Sequence, residues 1–174
     1  MRNLFMIFIC SLGLNAGGLS FPEQFKADFT QKITNPKKKV ITYKGKVYFS
    51  HKSMFKWDYT APTKKQVCTD GYELTVVDHD LEQVSVYAID KGFNFSKVLE
   101  KAKVHKKNIY VAKYENKSYT IQVDAKQRLH SIAYFDELDN KVQIIFKNVK
   151  YAKGSLSTKA MTCKIPKDYD IIRG

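Results

Sequence analysis

Apolar and polar residues alternate along most of this 174-residue chain, and alternation with a period of two predicts β-strands. The clearest case is residues 45–59, where two strands follow one another around a polar turn at residues 50–53. One face of the pair collects six side chains: Val47, Phe49 and His51 on the first strand, and Phe55, Trp57 and Tyr59 on the second. Side by side, the two strands would present a continuous aromatic surface. Either ordinary core packing or a bound apolar ligand must cover that surface.

The same alternation, interrupted by turn sequences such as Asn35-Pro36 and Asp70-Gly71, predicts about eleven strands. Besides the two aromatic strands, they occupy residues 25–34, 66–69, 72–77, 82–87, 109–114, 119–123, 129–135, 142–151 and 159–165. Turns this short join antiparallel neighbours. A wide antiparallel sheet curls, because its twist accumulates and open edges are a liability. We therefore predict a mainly β (α+β) fold, a barrel or half-barrel with one helix at its mouth.

That helix is predicted where the spacing changes from two to the helical period. Five apolar residues recur at helical spacing: Phe93, Phe95, Val98, Leu99 and Ala102. Only one face of this helix is apolar, so the helix must lie on another element. A second, short helix is predicted before the first strand, because Ser20 and Glu23 have the spacing of a capping box.

The first residues have the pattern of a secretory signal peptide. Arg2 is followed by an apolar run at residues 4–14 and then by small residues around Gly18. The run is shorter than the roughly 20 residues that a membrane-spanning helix needs. We predict a signal peptide at residues 1–18 and a single domain, with one core, at residues 19–174.

The chain is strongly basic, with 30 Lys and Arg residues against 17 Asp and Glu residues and a net charge of +13. Lysine supplies nearly all of this charge, because Arg2, Arg128 and Arg173 are the only arginines. Nucleic acid is therefore the poorest candidate partner, since base and phosphate recognition relies on the arginine fork. Solvated surface lysines, anionic lipid head groups or an acidic protein partner remain as explanations.

Two cysteines, Cys68 and Cys163, remain after removal of the leader, and an even number in an oxidising compartment permits a disulfide. Each lies in a segment with the pattern of a strand, where a lone buried cysteine packs as a small apolar residue. On this reasoning the unbridged state is slightly favoured.

The sequence shows no constellation of catalytic residues. His51, His79, His105 and His130 fall in separate segments, and no nucleophile-elbow or zinc-protease motif is present. Asp78, His79 and Asp80 are consecutive in a polar turn, so their side chains diverge. We expect no enzyme activity, no cofactor and no metal site.

Several segments in a fixed order carry a resemblance to a known family. They are F-x-A-D-F-T-Q at residues 25–31, the F-x-W of residues 45–59, Pro62, Asp70-Gly71, D-L-E-Q-V at residues 80–84 and T-C-K-I-P-x-x-Y-x-I-I at residues 162–172. Behind a signal peptide, this order resembles the LolA family of periplasmic carriers of outer-membrane lipoproteins. The resemblance covers about residues 25–172.

The resemblance implies a half-open barrel of about eleven antiparallel strands, closed over its apolar inner surface by a helical lid. It implies a periplasmic carrier that accepts acylated lipoproteins from an inner-membrane, LolCDE-like ABC transporter and delivers them to a LolB-like outer-membrane acceptor where one exists. In the family an arginine holds the lid by hydrogen bonds, and here His51 occupies that position. A histidine offers fewer donors and a charge that depends on pH. We also expect a monomer.

The aromatic surface and the helix together define the candidate binding site for acyl chains. Its residues are Phe29, Val47, Phe49, Phe55, Trp57, Tyr59, Phe93, Phe95, Val98 and Leu99. Exposing an acyl chain to water costs about 0.8 kcal/mol per CH₂, so an apolar surface without fixed polar anchors suits a carrier that must also release its cargo. The alternatives are a carrier or sensor of free lipid and a module that binds another protein through its concave face.

Overall fold

In the computed structural model, the described part of the chain comprises residue 19 and residues 22–50, 54–89 and 95–174. Within these ranges there are twelve strands and two short helices. The first six strands are β1 (Gln24–Thr34), β2 (Val40–Ser50), β3 (Met54–Ala61), β4 (Lys65–Thr69), β5 (Glu73–Asp78) and β6 (Gln83–Ala88). The helix α1 (Phe95–Glu100) precedes β7 (Lys103–Lys106), β8 (Ile109–Tyr114), β9 (Lys117–Val123), β10 (Leu129–Phe135) and β11 (Lys141–Ala152). The chain ends with α2 (Thr158–Met161) and β12 (Asp170–Arg173).

All twelve strands form one sheet, in the order β12-β6-β5-β4-β3-β2-β1-β11-β10-β9-β8-β7. Within β1–β6 and within β7–β11, consecutive strands are antiparallel neighbours joined by short turns, as the alternation predicted. The pairing of β1 with β11 joins two meanders that are far apart in sequence. Since β12 and β7 lie at the two edges and do not pair, the sheet is an open barrel, and the predicted fold class is confirmed.

The main core lies on the concave face of the sheet. Its centre is aromatic and aliphatic, with Phe25, Val47 and Phe49 all at most 1% exposed. The apolar face of α1 closes one side of this core, since Val98 and Leu99 are buried and the helix lies against β8. The helix thus covers part of the concave surface, as its apolar face requires.

A second, smaller core lies on the convex face, where the C-terminal segment covers β4, β5 and β6. It contains Val77, Val84 and Val86 together with both cysteines. Cys68 and Cys163 form a disulfide, with their Cα atoms 5.7 Å apart. The expectation of unbridged cysteines was therefore wrong. The physical reason is that Cys68 points outward from β4, toward the very surface that the C-terminal segment crosses.

The strand predicted at residues 159–165 is also wrong. A short helix, α2, occupies Thr158–Met161, and the Ser157 side chain accepts a hydrogen bond from Ala160 N at its start. The following residues are extended, with Cys163 buried and Lys164 exposed, but they join no strand. Instead, Lys164 N donates to the side-chain oxygen of Gln66 at 2.9 Å. The alternation was real, but it marked packing on the sheet rather than membership of it.

Two further differences concern the ends of the sheet. Pro22 and Glu23 are not helical and β1 begins at Gln24, so the short opening helix is absent from the described residues. The edge strands β7 and β12 were not predicted. Both have only exposed residues, so neither shows the alternation by which a half-buried strand is recognised.

Candidate functional site

The aromatic surface predicted from residues 45–59 exists and forms the middle of the concave face. Val47 pairs with Trp57 and Phe49 with Phe55 across β2 and β3, so these side chains share one face. Phe29 from β1 packs its ring edge-on against Trp57, with centroids 4.9 Å apart. The three strands therefore build one continuous aromatic layer.

A cavity of about 350 Å³ lies over this layer. Four of the predicted residues line it: Phe55, Trp57, Tyr59 and Phe95. Five others belong to the surrounding packed core rather than to the cavity wall: Phe29, Val47, Phe49, Val98 and Leu99. The remaining two, Phe93 and His51, lie outside the described residues. The candidate residues thus divide into a wall and the layer that supports it.

The wall also includes Phe25 and Gln31 of β1 and Ile89 after β6, and its other residues come from strands that sequence reasoning did not assign to the site. From β10 and β11 come Ile132, Tyr134, Ile144 and Phe146, and from β4 and β5 come Val67, Thr69 and Leu74. In its own strand, each of these residues occupies an alternate position that points to the concave face. What was missing was the pairing of β1 with β11, which brings the second half of the chain to the aromatic layer.

Gly45 allows the aromatic layer to bend. A Cβ atom at this position would lie 2.0 Å from the carbonyl oxygen of Asp58 and 2.9 Å from the ring of Phe29. The register of β2 and β3 shifts between Lys44 and Gly45. Without a side chain at this position, β3 can approach closely enough for Tyr59 to pack on Phe29, with ring centroids 5.1 Å apart.

Helix α1 supplies the cover over one end of the cavity. Phe95, 5% exposed, lines the cavity and packs edge-on against Phe55 with centroids 5.5 Å apart. The next turn of the helix, with Val98 and Leu99, is anchored in the core. One short helix therefore contributes a wall residue and the packing that holds it.

The cavity wall carries no charged side chain among the described residues. Tyr59 is one of its polar groups, and its hydroxyl donates to Gln31 Oε1 at 3.2 Å. Burial raises the pKa of Tyr59, with the nearby Tyr134 and Tyr43 hydroxyls adding to the shift, and burial also raises the pKa of Tyr134. Both phenols therefore stay neutral at physiological pH and act as hydrogen-bonding groups only.

The convex side of the same strands is basic. Seven exposed lysines point away from the cavity: Lys26, Lys32, Lys44, Lys46, Lys141, Lys147 and Lys150. The outward face of β1, β2 and β11 has one acidic residue, Asp28, which is held by Lys46 and Asn148 at 2.7 Å each. These contacts lower the pKa of Asp28. The convex face of these three strands is thus positive, whereas the cavity wall is uncharged and Lys65 lies beside it on the concave face, with Nζ 5.7 Å from the centre of the Tyr59 ring.

The histidines and acidic residues do not assemble into a metal site. Among the described residues, no group of three or more His, Cys, Asp or Glu side chains is close enough to hold an ion. His79 instead contacts the hydroxyl of Tyr169 through Nδ1 at 3.1 Å, linking the β5–β6 turn to the C-terminal segment. In the same ranges, no helix is long and apolar enough to cross a membrane.

Comparison with known proteins gives consistent results. The family model described as outer membrane lipoprotein carrier protein LolA matches residues 22–159. An outer-membrane lipoprotein carrier protein of Campylobacter jejuni is 36% identical over 174 residues, covering 99% of this chain and 100% of that protein. The protein of the same name from Wolinella succinogenes is 30% identical over 126 residues, covering 72% of this chain and 73% of its own.

Among solved structures, an uncharacterized conserved protein from Thermus thermophilus superimposes with a TM-score of 0.56. The match covers 88% of this chain and 91% of that one, at 11% sequence identity. At this identity the likeness concerns the fold alone.

Proposed function

The chain belongs to the LolA family of outer-membrane lipoprotein carrier proteins, and from this premise we propose that it carries lipoproteins with their acyl chains enclosed in the concave cavity. The observation that carries the proposal is the cavity of about 350 Å³, which is mostly apolar and uncharged and is roofed by Phe95 of α1. Carriage needs no covalent step, in line with the expectation that the chain is not an enzyme. The relatives do not favour carriage of free lipid or direct protein binding by the concave face.

The chemistry of the wall suits transfer. Shielding an acyl chain gains about 0.8 kcal/mol per CH₂, which makes binding favourable without any charged anchor. Aromatic side chains such as Phe55 and Trp57 give broad contact that does not select one position of a flexible chain. The cargo can therefore be held and still be released to an acceptor.

Outer-membrane lipoprotein carriers act in the periplasm, and the proposed location of this protein is the same. A signal peptide at residues 1–18 would deliver it there, leaving residues 19–174 as the carrier domain. Mass measurement of the protein recovered from the periplasm tests this, since a chain that retains residues 1–18 would contradict it.

A LolCDE-like ABC transporter of the inner membrane is the proposed donor, and a LolB-like protein of the outer membrane is the proposed acceptor. The family resemblance supports both. Release of a lipoprotein from membranes that contain the transporter should require this carrier. Equal release in the absence of this carrier would contradict the proposal that the transporter is its donor.

His51 is the proposed residue that holds the lid, because counting back from Trp57 places it where the family has an arginine. In that role, His51→Ala should release a bound lipopeptide faster than the unmodified protein, as measured by transfer to empty vesicles. An unchanged release rate would show that His51 does not restrain the lid.

Substitution at the cavity wall tests the proposed function directly. Trp57→Glu places a carboxylate in the wall, where an acyl chain would have to desolvate it. We expect lipopeptide binding to fall by at least about tenfold. Val104→Glu is the matched control, because Val104 is 68% exposed on β7 and away from the wall. Normal binding by a folded Trp57→Glu protein would place the cargo elsewhere.

A further inference from the structure

Apart from the indole N–H of Trp57, the polar groups of the cavity wall belong to four residues: Gln31, Tyr59, Thr69 and Tyr134. Thr69 lies at the β4–β5 turn, where its hydroxyl accepts a hydrogen bond from Gly71 N at 2.9 Å. The other three come from β1, β3 and β10. They form a polar group in a wall that is mostly apolar.

Strand pairing explains why these three residues are close. Gln31 pairs with Ile144, and Ile144 pairs with Ile132, which lies two residues before Tyr134 on the same face. Tyr59 reaches Gln31 from the other direction across the bend at Gly45, and their side chains are hydrogen-bonded at 3.2 Å. Curvature of the sheet turns all three side chains into the cavity.

These three side chains keep donor hydrogens beside the acceptor lone pairs of the two hydroxyls. Tyr59 donates its hydroxyl hydrogen to Gln31 Oε1, which fixes the Gln31 amide and leaves its Nε2 group as a donor. Within the described part of the chain, neither Gln31 Nε2 nor the Tyr134 hydroxyl has a protein hydrogen-bond partner. Neither group is among the fully buried unpaired atoms of the described residues, so both stay accessible from the cavity and an acceptor on a ligand can reach them.

The cargo has the complementary pattern. An acyl chain is hydrocarbon along its length and ends in a carbonyl, as an ester or an amide, whose oxygen accepts hydrogen bonds. We propose that Gln31 and Tyr134 donate to the carbonyl oxygens of bound acyl groups, while Tyr59 holds Gln31 in position. The proposal rests on the proposed function and adds an orientation to it. The carbonyl end lies at Gln31 and Tyr134, and the hydrocarbon extends toward Phe55 and Phe95.

Two ligands that differ only in their carbonyl groups test the proposed contacts on the unmodified protein, before any side chain is substituted. One is a lipopeptide with two ester-linked palmitoyl chains on a glyceryl group, and the other is its ether-linked counterpart, which lacks the carbonyls. Two neutral hydrogen bonds should make the ester about tenfold tighter than the ether for the unmodified protein. Intrinsic or dye-displacement fluorescence measures both affinities.

The variant Gln31→Leu/Tyr134→Phe should lose most of the preference for the ester, because both proposed donors are gone and the Tyr59 hydroxyl, freed from Gln31, is the one donor of the three that remains. Tyr43→Phe is the matched control, since Tyr43 packs against Tyr59 with ring centroids 5.7 Å apart but does not line the cavity. It should keep the full preference for the ester. If the double variant does not fold, Tyr134→Phe alone should still reduce the preference.

The outcomes that overturn the proposal are distinct from failure of the carrier function. Equal affinity of the unmodified protein for ester and ether, or an undiminished preference in the donor variants, would leave carriage intact and remove the carbonyl site. Loss of the preference for the ester in Tyr43→Phe would also contradict the proposed carbonyl site. Failure of the unmodified protein to bind either lipopeptide would overturn both the carbonyl site and the proposed function.

Discussion

At the scale of single residues, Gly45 has the largest structural consequence for the site. Its missing side chain lets β2 and β3 approach at the point where their register shifts. Tyr59 then reaches across to Phe29 and to Gln31, which places a hydroxyl at the cavity wall. The need for glycine here comes from close approach of the backbone and not from an unusual φ angle.

Gly45→Ala should destabilise the protein by about 3 kcal/mol or more, because the new Cβ would overlap the backbone carbonyl of Asp58, which has no freedom to rotate away. Gly154→Ala is the control. A Cβ there meets nothing within 4 Å, so only its φ of +77° opposes the substitution, at about 1 kcal/mol. Urea unfolding of both variants measures the difference, and equal losses would contradict the importance of the close approach at Gly45.

At the scale of elements, the C-terminal segment acts as a second layer on the convex face. Three kinds of contact hold it: the disulfide, the parallel pairing of β12 with β6 and polar bonds to β3 and β4. The polar bonds include Lys56 Nζ donating to Thr162 O at 3.3 Å, although Lys56 is only 7% exposed. The segment therefore satisfies a buried ammonium group and covers the edge of β6.

Removal of the disulfide by Cys68→Ser/Cys163→Ser should lower stability by about 4 kcal/mol, because the bridge closes a long loop in the unfolded chain. The two cysteines are 95 residues apart in sequence. Amide hydrogen exchange at residues 170–173 should also accelerate as β12 loosens. Reducing agent should destabilise the unmodified protein and leave the double variant unchanged. Equal sensitivity of the two proteins to reducing agent would show that the bridge is not the cause.

At the scale of the whole molecule, lysines collect on the convex face of β1, β2 and β11, opposite the cavity. The concave wall is uncharged, while the convex face of β1, β2 and β11 carries seven lysines and one acidic residue. Lys26 and Lys150 even pair directly across β1 and β11, an arrangement of like charges that disfavours folding. Seven lysines against one aspartate make this face positive, which favours electrostatic steering toward acidic surfaces.

Association of the loaded carrier with outer-membrane vesicles should therefore slow as salt is added, because screening weakens long-range attraction. Reversing two charges with Lys26→Glu/Lys150→Glu should slow association at low salt and flatten its salt dependence. Lys106→Glu/Lys107→Glu reverses the same charge at the exposed β7–β8 turn and should have a smaller effect. Rates that do not depend on salt, or equal effects of the two variants, would argue against steering by the convex face.

Much of the fold could be predicted from local sequence because alternation and turn residues act over short distances. Strands β8 and β10 were predicted with their observed bounds, and the Asp70-Gly71 turn lies between β4 and β5 as expected. The aromatic pairs on β2 and β3 could be predicted from the alternation in each strand and the single turn between them. Edge strands were missed because an exposed strand has no alternation to detect.

The site could be predicted only in part. Alternation along the strand identified Phe55, Trp57 and Tyr59 as inward-facing. It could not distinguish residues of the cavity wall from core residues beneath the wall, such as Phe29. Alternation also could not show that Gln31 lines the cavity, because Gln31 is a single polar residue on the otherwise apolar face of β1. Its role emerges only when Tyr59 and Tyr134 arrive from other strands.

The sequence by itself determined the class of fold, most strands, the inward aromatic face and the resemblance to the lipoprotein carriers, because each depends on the order and spacing of nearby residues. Tertiary structure alone decided the β1–β11 pairing, the cavity wall, the disulfide and the position of the C-terminal segment. These depend on contacts between residues far apart in the chain, and such contacts are selected by the packing of the whole sheet. Cys68 and Cys163 show the difference: their spacing permits a bridge, and only the path of the chain over the convex face brings them together.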